Sequence, residues 1–339
     1  MIRQKNILLF LIVTCLAILA RVGGLSFVSA DMNDYLLPWA EQFRANSGFS
    51  AMRSQIGDYN ILYQTLIVLF VPTVILNSAV WGQCDAMYTC VCILALAALY
   101  RRRYVASFIA LGIAFALKLQ TIFILPVYLY VYICRKDFSL LHFFISIFTL
   151  WVTGIPAYLE GRSLLTVFHI YLNQMNEYPL LVMNSPSIWT LFFPGYAYMR
   201  LCALITTVLI LGLFLYHLLN QKQVIREDPE SYLILAAWCT WTCFLFLPSM
   251  HERYSYLSDL LLVLLALLSG KYLPYALAAV CISGITYTNY LQNYALWRVI
   301  PYLIPIAAGA WFAFTFRILP ASLTLDKHCT NQETKEYLP

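Results

Sequence analysis

Long runs of apolar residues, separated by short polar stretches, occupy most of this 339-residue chain. Several runs reach or approach the ~20 residues with which a helix crosses about 30 Å of hydrocarbon, whereas a membrane barrel has short alternating segments. The pattern therefore predicts an all-α, polytopic transmembrane helical bundle of about 10–12 spans. The predicted spans are Ile7–Val28, Ala86–Tyr100, Tyr104–Leu117, Thr121–Cys134, Phe138–Tyr158, Ala197–Leu219, Tyr232–Pro248, Tyr256–Gly270, Leu273–Thr288 and Leu296–Phe316.

The composition supports the same class of protein. Hydrophobic residues make up 62% of the chain and charged residues only 11%, against about 25% charged residues in soluble domains. The ten cysteines lie mostly in apolar runs and show no zinc or redox spacing, so we assign them no function. The net charge of +5 does not indicate nucleic acid as a partner. The basic residues instead indicate how the helices are oriented.

Basic residues of membrane proteins collect in cytoplasmic loops. This rule places both termini in the cytoplasm, with a membrane domain over 1–316, a cytoplasmic tail over 317–339, and two long external loops over 29–60 and 159–195. We interpret Ile7–Val28 as a retained first span rather than a cleaved signal peptide, because no clear small-residue cleavage site precedes Ser29. The basic clusters assigned to the inside are Arg3/Lys5, Arg101–Arg103, Arg135/Lys136, Lys222/Arg226, Lys271 and Arg317/Lys327.

One segment conflicts with this orientation. Ile61–Val80 has the length of a single span, yet Asp58 and Asp85 on its two sides should both lie outside. The segment is re-entrant, or it consists of two broken half-helices, or the orientation nearby is wrong. Pro72 and Asn77 would suit a broken helix that is buried in protein.

Ionisable residues away from the basic loops map to the outer ends of the predicted helices. Charges at membrane depth are costly and mark functional sites by default, although each one could instead snorkel to the interface or form a structural pair. A carboxylate can take a proton from a hydroxyl, and Arg, Lys and His can hold an anionic leaving group such as phosphate. The residues are Arg21, Asp31, Asp34, Asp58, Asp85, Lys118, His251, Glu252 and Arg253.

The sequence contains neither a glycine-rich phosphate loop nor a P-loop lysine motif. We therefore expect no nucleotide, which fits a site that faces away from the cytoplasm. A lipid-linked phosphate would instead enter such a site sideways from the bilayer.

Four stretches of the chain resemble the GT-C class of integral membrane glycosyltransferases. They are SADMNDYLLPW (Ser29–Trp39, followed by GFSAM and by GDYN at Gly57–Asn60), PTVILNSAVWGQCDAMY (Pro72–Tyr88), FALKLQTIFILP (Phe115–Pro126) and HERYSY (His251–Tyr256), with a weaker match over Ile170–Trp189. More narrowly, the chain resembles bacterial relatives of the eukaryotic GPI mannosyltransferase PIG-V and of the dolichol-pathway glucosyltransferases. These relatives carry two spans between the DYN-type and WGQ-type stretches, so the resemblance implies that 61–80 is shortened. Two restored crossings would remove the conflict in orientation.

The resemblance also implies roles for individual residues. Asp31 takes the position of the aspartate that acts as catalytic base or coordinates the acceptor, with Asp34 as the alternative. Asp85 matches a second acidic position, although a carboxylate near the start of a helix could also act as a cap. The substrate-binding residues implied are Arg253, His251, Glu252, Lys118, Tyr254, Asp58, Gln83, Trp81, Gln120 and Arg21, with Trp39 and Trp189 as further acceptor-loop aromatics.

Within this set, the phosphate of a lipid carrier is the expected ligand of the basic side chains. Arg253 would grip the phosphate in a forked contact that lysine cannot copy. His251 could donate a second hydrogen bond, and Lys118 is a further phosphate ligand unless it snorkels. Glu252 would orient Arg253 or face solvent.

The resulting hypothesis is a membrane glycosyltransferase with an extracytoplasmic active site. It would move one sugar, mannose or another hexose, with inversion from a polyprenyl-phosphate donor to a glycan, lipid or polymer acceptor. No cofactor is required, although Asp31 and Asp85 could hold a divalent metal. The alternatives are a transporter or flippase for a lipid-linked or polar solute, and an inactive shortened paralogue.

Overall fold

The computed structural model of the chain describes residues 33–34, 37–45, 85–177, 180–192, 196–291 and 297–325. In these ranges the protein is almost entirely α-helical, with four strands of two or three residues. The helices are α1 (Leu37–Ala45), α2 (Asp85–Tyr100), α3 (Tyr104–Leu117), α4 (Leu125–Arg135), α5 (His142–Val152), α6 (Ile155–Leu159), α7 (Thr166–Glu177), α8 (Tyr196–Asn220), α9 (Pro229–Phe246), α10 (Tyr256–Leu268), α11 (Leu273–Leu291) and α12 (Ile300–Arg317). The strands are β1 (Val182–Met183), β2 (Gln223–Ile225), β3 (Met250–His251) and β4 (Leu323–Leu325).

The chain divides into two compact units. The first comprises 1–84 and 153–170, and its described part contains α1, α6 and the start of α7. The second comprises 85–152 and 171–339 and holds the remaining helices. In the second unit, helices that are close in sequence pack together: α2 on α3, α3 on α5, α9 on α10, α10 on α11 and α11 on α12.

The predicted all-α class is confirmed, and every predicted span that falls in the described residues contains a helix. For Tyr104–Leu117 the predicted and observed bounds coincide. Continuous apolar runs of this length fix helices because burial and intrahelical hydrogen bonding act together, whatever surrounds the run. Ile7–Val28 and Ile61–Val80 lie outside the described residues, so the conflict in orientation at 61–80 stays untested.

Helix α9 lies at the centre of the second unit. Fifteen of its 18 residues are buried, as expected for a helix that is apolar all round. Its start is capped by Asp228, whose carboxylate accepts hydrogen bonds from the Ser231 backbone N–H at 2.8 Å and the Ser231 hydroxyl at 3.0 Å. Helix α9 is therefore the core element against which α8, α10 and α12 pack.

Two helices in the described ranges are long and apolar enough to cross a membrane: Tyr198–Asn220 of α8 and Ile300–Arg317 of α12. Shorter apolar helices, including α2, α3 and α5, precede both in the sequence. The outward faces of α5 and α8 carry many exposed large apolar side chains, among them Phe144, Phe148, Leu201, Val208 and Leu213. Exposed apolar faces of this kind mark sites of interaction with a protein or a membrane.

The predicted single span Phe138–Tyr158 consists of two helices in the structure. The structure has α5 over His142–Val152 and a separate short helix α6 over Ile155–Leu159. The break falls at Gly154, just before Pro156, which has no N–H for an intrahelical bond and restricts the residue before it. Within the first unit, a Cβ on Gly154 would come within 2.4 Å of the Tyr158 hydroxyl and 2.9 Å of Val167.

The predicted external loops also contain helices. Helix α1 lies in the loop 29–60, and α7 lies in the loop 159–195. In α7 the buried residues Val167, Ile170 and Tyr171 are three and four residues apart, which is the helical period. Because this segment also contains polar residues, it has no long apolar run of the kind that predicted the other helices.

The basic loops of the second unit meet at one end of the helices. Arg102 donates a hydrogen bond to Glu227 at 2.5 Å and lies 3.9 Å from Asp137, and Lys271 lies 2.8 Å from Glu230. Strands β2 and β4 pair antiparallel at the same end, with Gln223 opposite Leu325. Loops that the sequence assigned to one side of the membrane are therefore joined to each other in the structure.

Candidate functional site

Three chain junctions lie together at the opposite end of the second unit. Asp85 begins α2, Lys118 follows α3, and the His251–Tyr254 stretch joins α9 to α10. Because α2 and α3 form one hairpin and α9 and α10 another, these junctions lie a helix length away from the basic loops, about 24 Å for the 16 residues of α2. Helix α2 packs against both α9 and α10, which brings the two hairpins together.

Lys118 and Asp85 form a buried ion pair at this end. Their side chains are 2% and 7% exposed, and the Lys118 ammonium donates a hydrogen bond to the Asp85 carboxylate. The backbone of Lys118 is extended rather than helical, with φ −157° and ψ 136°. Helix α3 therefore ends here, beside the start of α2. The ammonium also lies 5.6 Å from the centre of the Tyr88 ring and 5.5 Å from that of Tyr254.

The ion pair means that Asp85 and Lys118 act together rather than as separate charges. Removal of one partner would leave the other charge buried, so the pair is a fixed element of the site rather than two surface charges. Asp85 lies in the first turn of α2, where the helix dipole also favours a carboxylate. The Lys118 ammonium is thus paired with Asp85 in the protein interior. Because this side chain is buried, it does not snorkel to the surface.

The His251–Tyr254 stretch consists of the end of β3 and a 3-10 turn over Glu252–Ser255. The His251 Nδ1 atom lies 4.0 Å from the Glu252 carboxylate, and its ring meets that of Tyr254 edge to face, with 5.0 Å between the ring centres. Glu252 is 1% exposed and so does not face solvent. The sequence left open whether Glu252 orients Arg253 or faces solvent, and its burial excludes the second alternative.

The environment of His251 favours its neutral form. Burial, followed by the positive charges of Arg253 and Lys118, lowers the pKa of His251 well below its usual range. A neutral imidazole still offers one N–H donor, but it adds no positive charge. The positive charge offered by this stretch to an anion therefore comes from Arg253.

The segment 180–192 covers this end of the second unit. Strand β1 pairs in parallel with β3, so that Met183 lies opposite His251. The Ser249 backbone N–H donates to Leu181 at 2.8 Å, and the Trp189 indole N–H donates to Phe246 at 2.6 Å. Trp189 is 7% exposed, so its observed role is to hold this segment against α9.

Sequence reasoning missed three residues near the predicted ones. Gln174 of α7 and Arg200 of α8 line a cavity beside Gln120 and Tyr254, and Asp259 of α10 accepts a 2.6 Å hydrogen bond from Ser283. Asp259 lies three residues after the end of the HERYSY stretch, and this proximity was an available signal. Gln174 gave none, whereas Arg200 is a charge within the predicted span Ala197–Leu219. Only the fold reveals that either residue lies near Tyr254.

The structure brings together part of the predicted site. Asp85, Lys118, Gln120, His251, Glu252, Arg253 and Tyr254 all belong to the second unit. Asp34 and Trp39 belong to the first, where Asp34 is exposed and Trp39 half-buried. The predicted residues Arg21, Asp31, Asp58, Trp81 and Gln83 lie outside the described residues.

A grouped cation and carboxylate beside an arginine, a neutral imidazole and a tyrosine can bind an anion and can exchange protons with a hydroxyl. Among the residues described, no three His, Cys, Asp or Glu side chains are grouped so that they could hold a metal ion. Comparison of the chain with protein-family models, with curated proteins and with solved structures finds no match.

Proposed function

We propose that the protein is a polytopic membrane glycosyltransferase of the GT-C type with its active site on the extracytoplasmic side. The observation that carries the proposal is the convergence of Asp85, Lys118 and His251–Tyr254 at one end of the second unit, a helix length from the basic loops. Basic loops favour the cytoplasm, so this arrangement favours a site that faces outward.

The apolar surface supports a location in the bilayer. Soluble monomers rarely expose contiguous apolar patches larger than a few hundred Å². Helix α8 nevertheless exposes Leu201, Ile205, Val208, Leu209 and Leu213 along one side, and α5 exposes Phe144 and Phe148. With α8 and α12 long enough to cross, the shorter helices would complete a multi-pass bundle.

The proposed reaction is a single inverting displacement. The acceptor hydroxyl attacks the anomeric carbon of a polyprenyl-phosphate hexose, and the bond from that carbon to the phosphate oxygen breaks. In the role that the resemblance implies for it, Asp31 would take the hydroxyl proton, and the polyprenyl phosphate leaves with the electron pair of the broken bond. Arg253 would bind this phosphate in a bidentate contact, with His251 as a neutral donor beside it.

In this scheme Asp85 and Lys118 have a shared role. Lys118 neutralises Asp85 in the buried pair, so its full charge is not offered to the phosphate. A phosphate that approached would have to compete with the Asp85 carboxylate for the ammonium. The pair would thus set the local charge and hold the Tyr254 ring in place, while Arg253 binds the leaving group.

Sugar transfer from polyprenyl-phosphate mannose and polyprenyl-phosphate glucose, measured with protein in lipid nanodiscs, tests the proposal. We expect transfer by the wild type, a loss of at least 100-fold in Asp31→Asn because the base is removed, and a loss of about tenfold or more in Arg253→Lys. Arg101→Lys, an exposed change at the opposite end, is the matched control and should transfer normally.

Each other outcome has a definite meaning. Normal transfer by both Asp31→Asn and Arg253→Lys overturns the mechanism. A folded wild type that transfers nothing from either donor favours the shortened, inactive paralogue. Movement of a lipid-linked sugar across proteoliposomes without any transfer would favour the flippase.

A further inference from the structure

Two sharp turns lie side by side at the end of the second unit that holds the basic loops. The turn from α2 to α3 has Arg102 in the left-handed region, with φ 57°, and the turn after α4 has Lys136 there, with φ 55°. The Tyr104 and Phe138 rings are in contact, with 4.9 Å between their centres, and Arg102 lies 3.9 Å from Asp137. The two turns therefore form one continuous surface.

The charges on this surface do not balance. Arg102 pairs with both Asp137 and Glu227, and Arg135 lies 3.7 Å from Glu227, so these two carboxylates are already neutralised. Five basic residues face the two carboxylates, which leaves a net charge of +3. The five are Arg101, Arg102, Arg103, Arg135 and Lys136.

Three of these cations have no counter-charge in the part of the chain that the structure describes. Arg101, Arg103 and Lys136 are all exposed, and none of them forms an ion pair with a described carboxylate. By contrast, Lys271 at the same end of the unit lies 2.8 Å from Glu230. Neighbouring cations without a partner repel one another and favour an anion between them.

Apolar side chains border this surface where α5 begins. Leu141 and Phe144 are 69% and 64% exposed, and Val105, two residues beyond Arg103, is 54% exposed. A free phosphate would leave these side chains uncovered, whereas a ligand with acyl chains would cover them. The ligand that fits both parts of the surface is an anionic group attached to apolar chains.

We propose that Arg101, Arg103 and Lys136 bind the phosphate of an anionic phospholipid, whose acyl chains lie along Leu141 and Phe144. Arginine can hold a phosphate in a bidentate contact, and one phosphate between the two turns would reduce the repulsion among the three cations. Each Lys or Arg near an acidic lipid surface contributes about fivefold to the binding constant. This binding requires no sugar transfer, so it stands or fails separately from the proposed function.

Equilibrium binding of radiolabelled dioctanoyl phosphatidylglycerol to the full chain in dodecyl maltoside micelles tests the proposal. We expect tighter binding than for dioctanoyl phosphatidylcholine, which has the same chains but no net charge. The triple variant Arg101→Gln, Arg103→Gln and Lys136→Gln should bind phosphatidylglycerol more weakly by about tenfold or more. All three side chains are exposed, and Arg103 makes no side-chain capping bond at the start of α3, so this variant should fold.

The matched control is the triple variant Lys222→Gln, Arg226→Gln and Lys271→Gln, which removes the same charge from the same end of the unit. Its affinity for phosphatidylglycerol should stay close to that of the wild type, because Arg226 is engaged with Asp228 and Lys271 with Glu230. An equal loss in the two triple variants would show that net charge alone attracts the lipid, and it would overturn the proposal.

Two further measurements examine the charged and apolar parts of the surface separately. Raising NaCl from about 0.1 M to about 1 M shortens the screening length from about 10 Å to about 3 Å, which should weaken the binding of phosphatidylglycerol but not of phosphatidylcholine. Inorganic phosphate at the concentration of the lipid should not displace it, because phosphate has no chains to cover Leu141 and Phe144. Salt-independent binding, equal affinity for the two lipids, or displacement by inorganic phosphate would each contradict the proposal.

Discussion

At the scale of single residues, the most constrained feature is the ion pair of Lys118 with Asp85. Both side chains are almost fully buried and both belong to the ends of helices in one hairpin. An isolated charge at this depth is costly, whereas the pair is tolerated because each charge solvates the other. This makes the two residues interdependent in stability as well as in any chemistry.

Lys118→Met should therefore lower the free energy of unfolding by about 3–5 kcal/mol, because it strands the Asp85 carboxylate. The double variant Lys118→Met with Asp85→Asn should recover much of this loss, as thermal unfolding in detergent would reveal. If the two single losses simply add in the double variant, the residues are not coupled in the way that the structure indicates.

His251 gives the second prediction at this scale. Its folded-state pKa lies well below the ~6.5 of an unfolded chain, so the unfolded state binds a proton first as the pH falls. The stabilisation is complete above pH ~6.5 and declines below it by up to ~1.4 kcal/mol per pH unit, until the pH reaches the folded-state pKa.

Replacement of His251 by Gln, which does not titrate, should flatten the stability profile between pH 7 and pH 5. His217→Gln, an exposed change near the end of α8, should leave the slope as it is in the wild type. Parallel slopes for wild type and His251→Gln in thermal unfolding would rule out His251 as the source of the pH dependence.

At the scale of elements, the close approach of α3 to α5 depends on one glycine. A Cβ on Gly112 would lie 2.5 Å from the Ser146 carbonyl oxygen and 2.7 Å from the Thr149 Cβ atom. The Ser146 hydroxyl also donates to the Phe108 carbonyl across the same interface, at 2.7 Å. Small residues let helix backbones come this close in membrane proteins.

Gly112→Ala should therefore destabilise the protein by about 1–3 kcal/mol, since backbone atoms must move apart to make room. Gly212→Ala in α8 is the matched control, because a Cβ there meets nothing within 4 Å and alanine favours a helix by about 0.5–1 kcal/mol. The melting temperatures of the two variants should move in opposite directions. A shift of the same sign in both would contradict this account of the α3–α5 interface.

At the scale of the whole molecule, the prediction concerns orientation in the membrane. The basic loops gather at one end of the second unit. The Lys118–Asp85 pair, the His251–Tyr254 stretch and the segment 180–192 lie at the other end. If basic loops face the cytoplasm, an exposed position at the other end must face outward. Leu191, in the segment 180–192, is an exposed position at the end that holds the Asp85–Lys118 pair, and Lys136 is an exposed position at the end that holds the basic loops.

Single cysteines at these two positions, in a background with the native cysteines replaced, would report the orientation. A membrane-impermeant maleimide should label Leu191→Cys in intact cells and Lys136→Cys only after permeabilisation. The reverse pattern would place the candidate site in the cytoplasm and exclude a donor that is presented on the outer leaflet.

The site was predictable from sequence only in part. The HERYSY stretch and Lys118 stood out because a charge between two apolar runs is rare and costly. The pairing of the residues was not predictable: nothing in the sequence pairs Lys118 with Asp85, which lies 33 residues away, or places Gln120 beside Gln174. Such pairs follow from the packing of helices, which depends on shape along whole faces and leaves no local signal.

The amino-acid sequence by itself determined which segments are helical and that the class is all-α, because a long apolar run forms hydrogen bonds within itself wherever it lies. It also indicated that the basic loops lie at the opposite helix ends from Lys118 and the HERYSY stretch. Only the tertiary structure decided that the segment 180–192 covers the candidate site and which charges are paired. These features depend on contacts between distant elements, whose free energies exist only once the chain has packed.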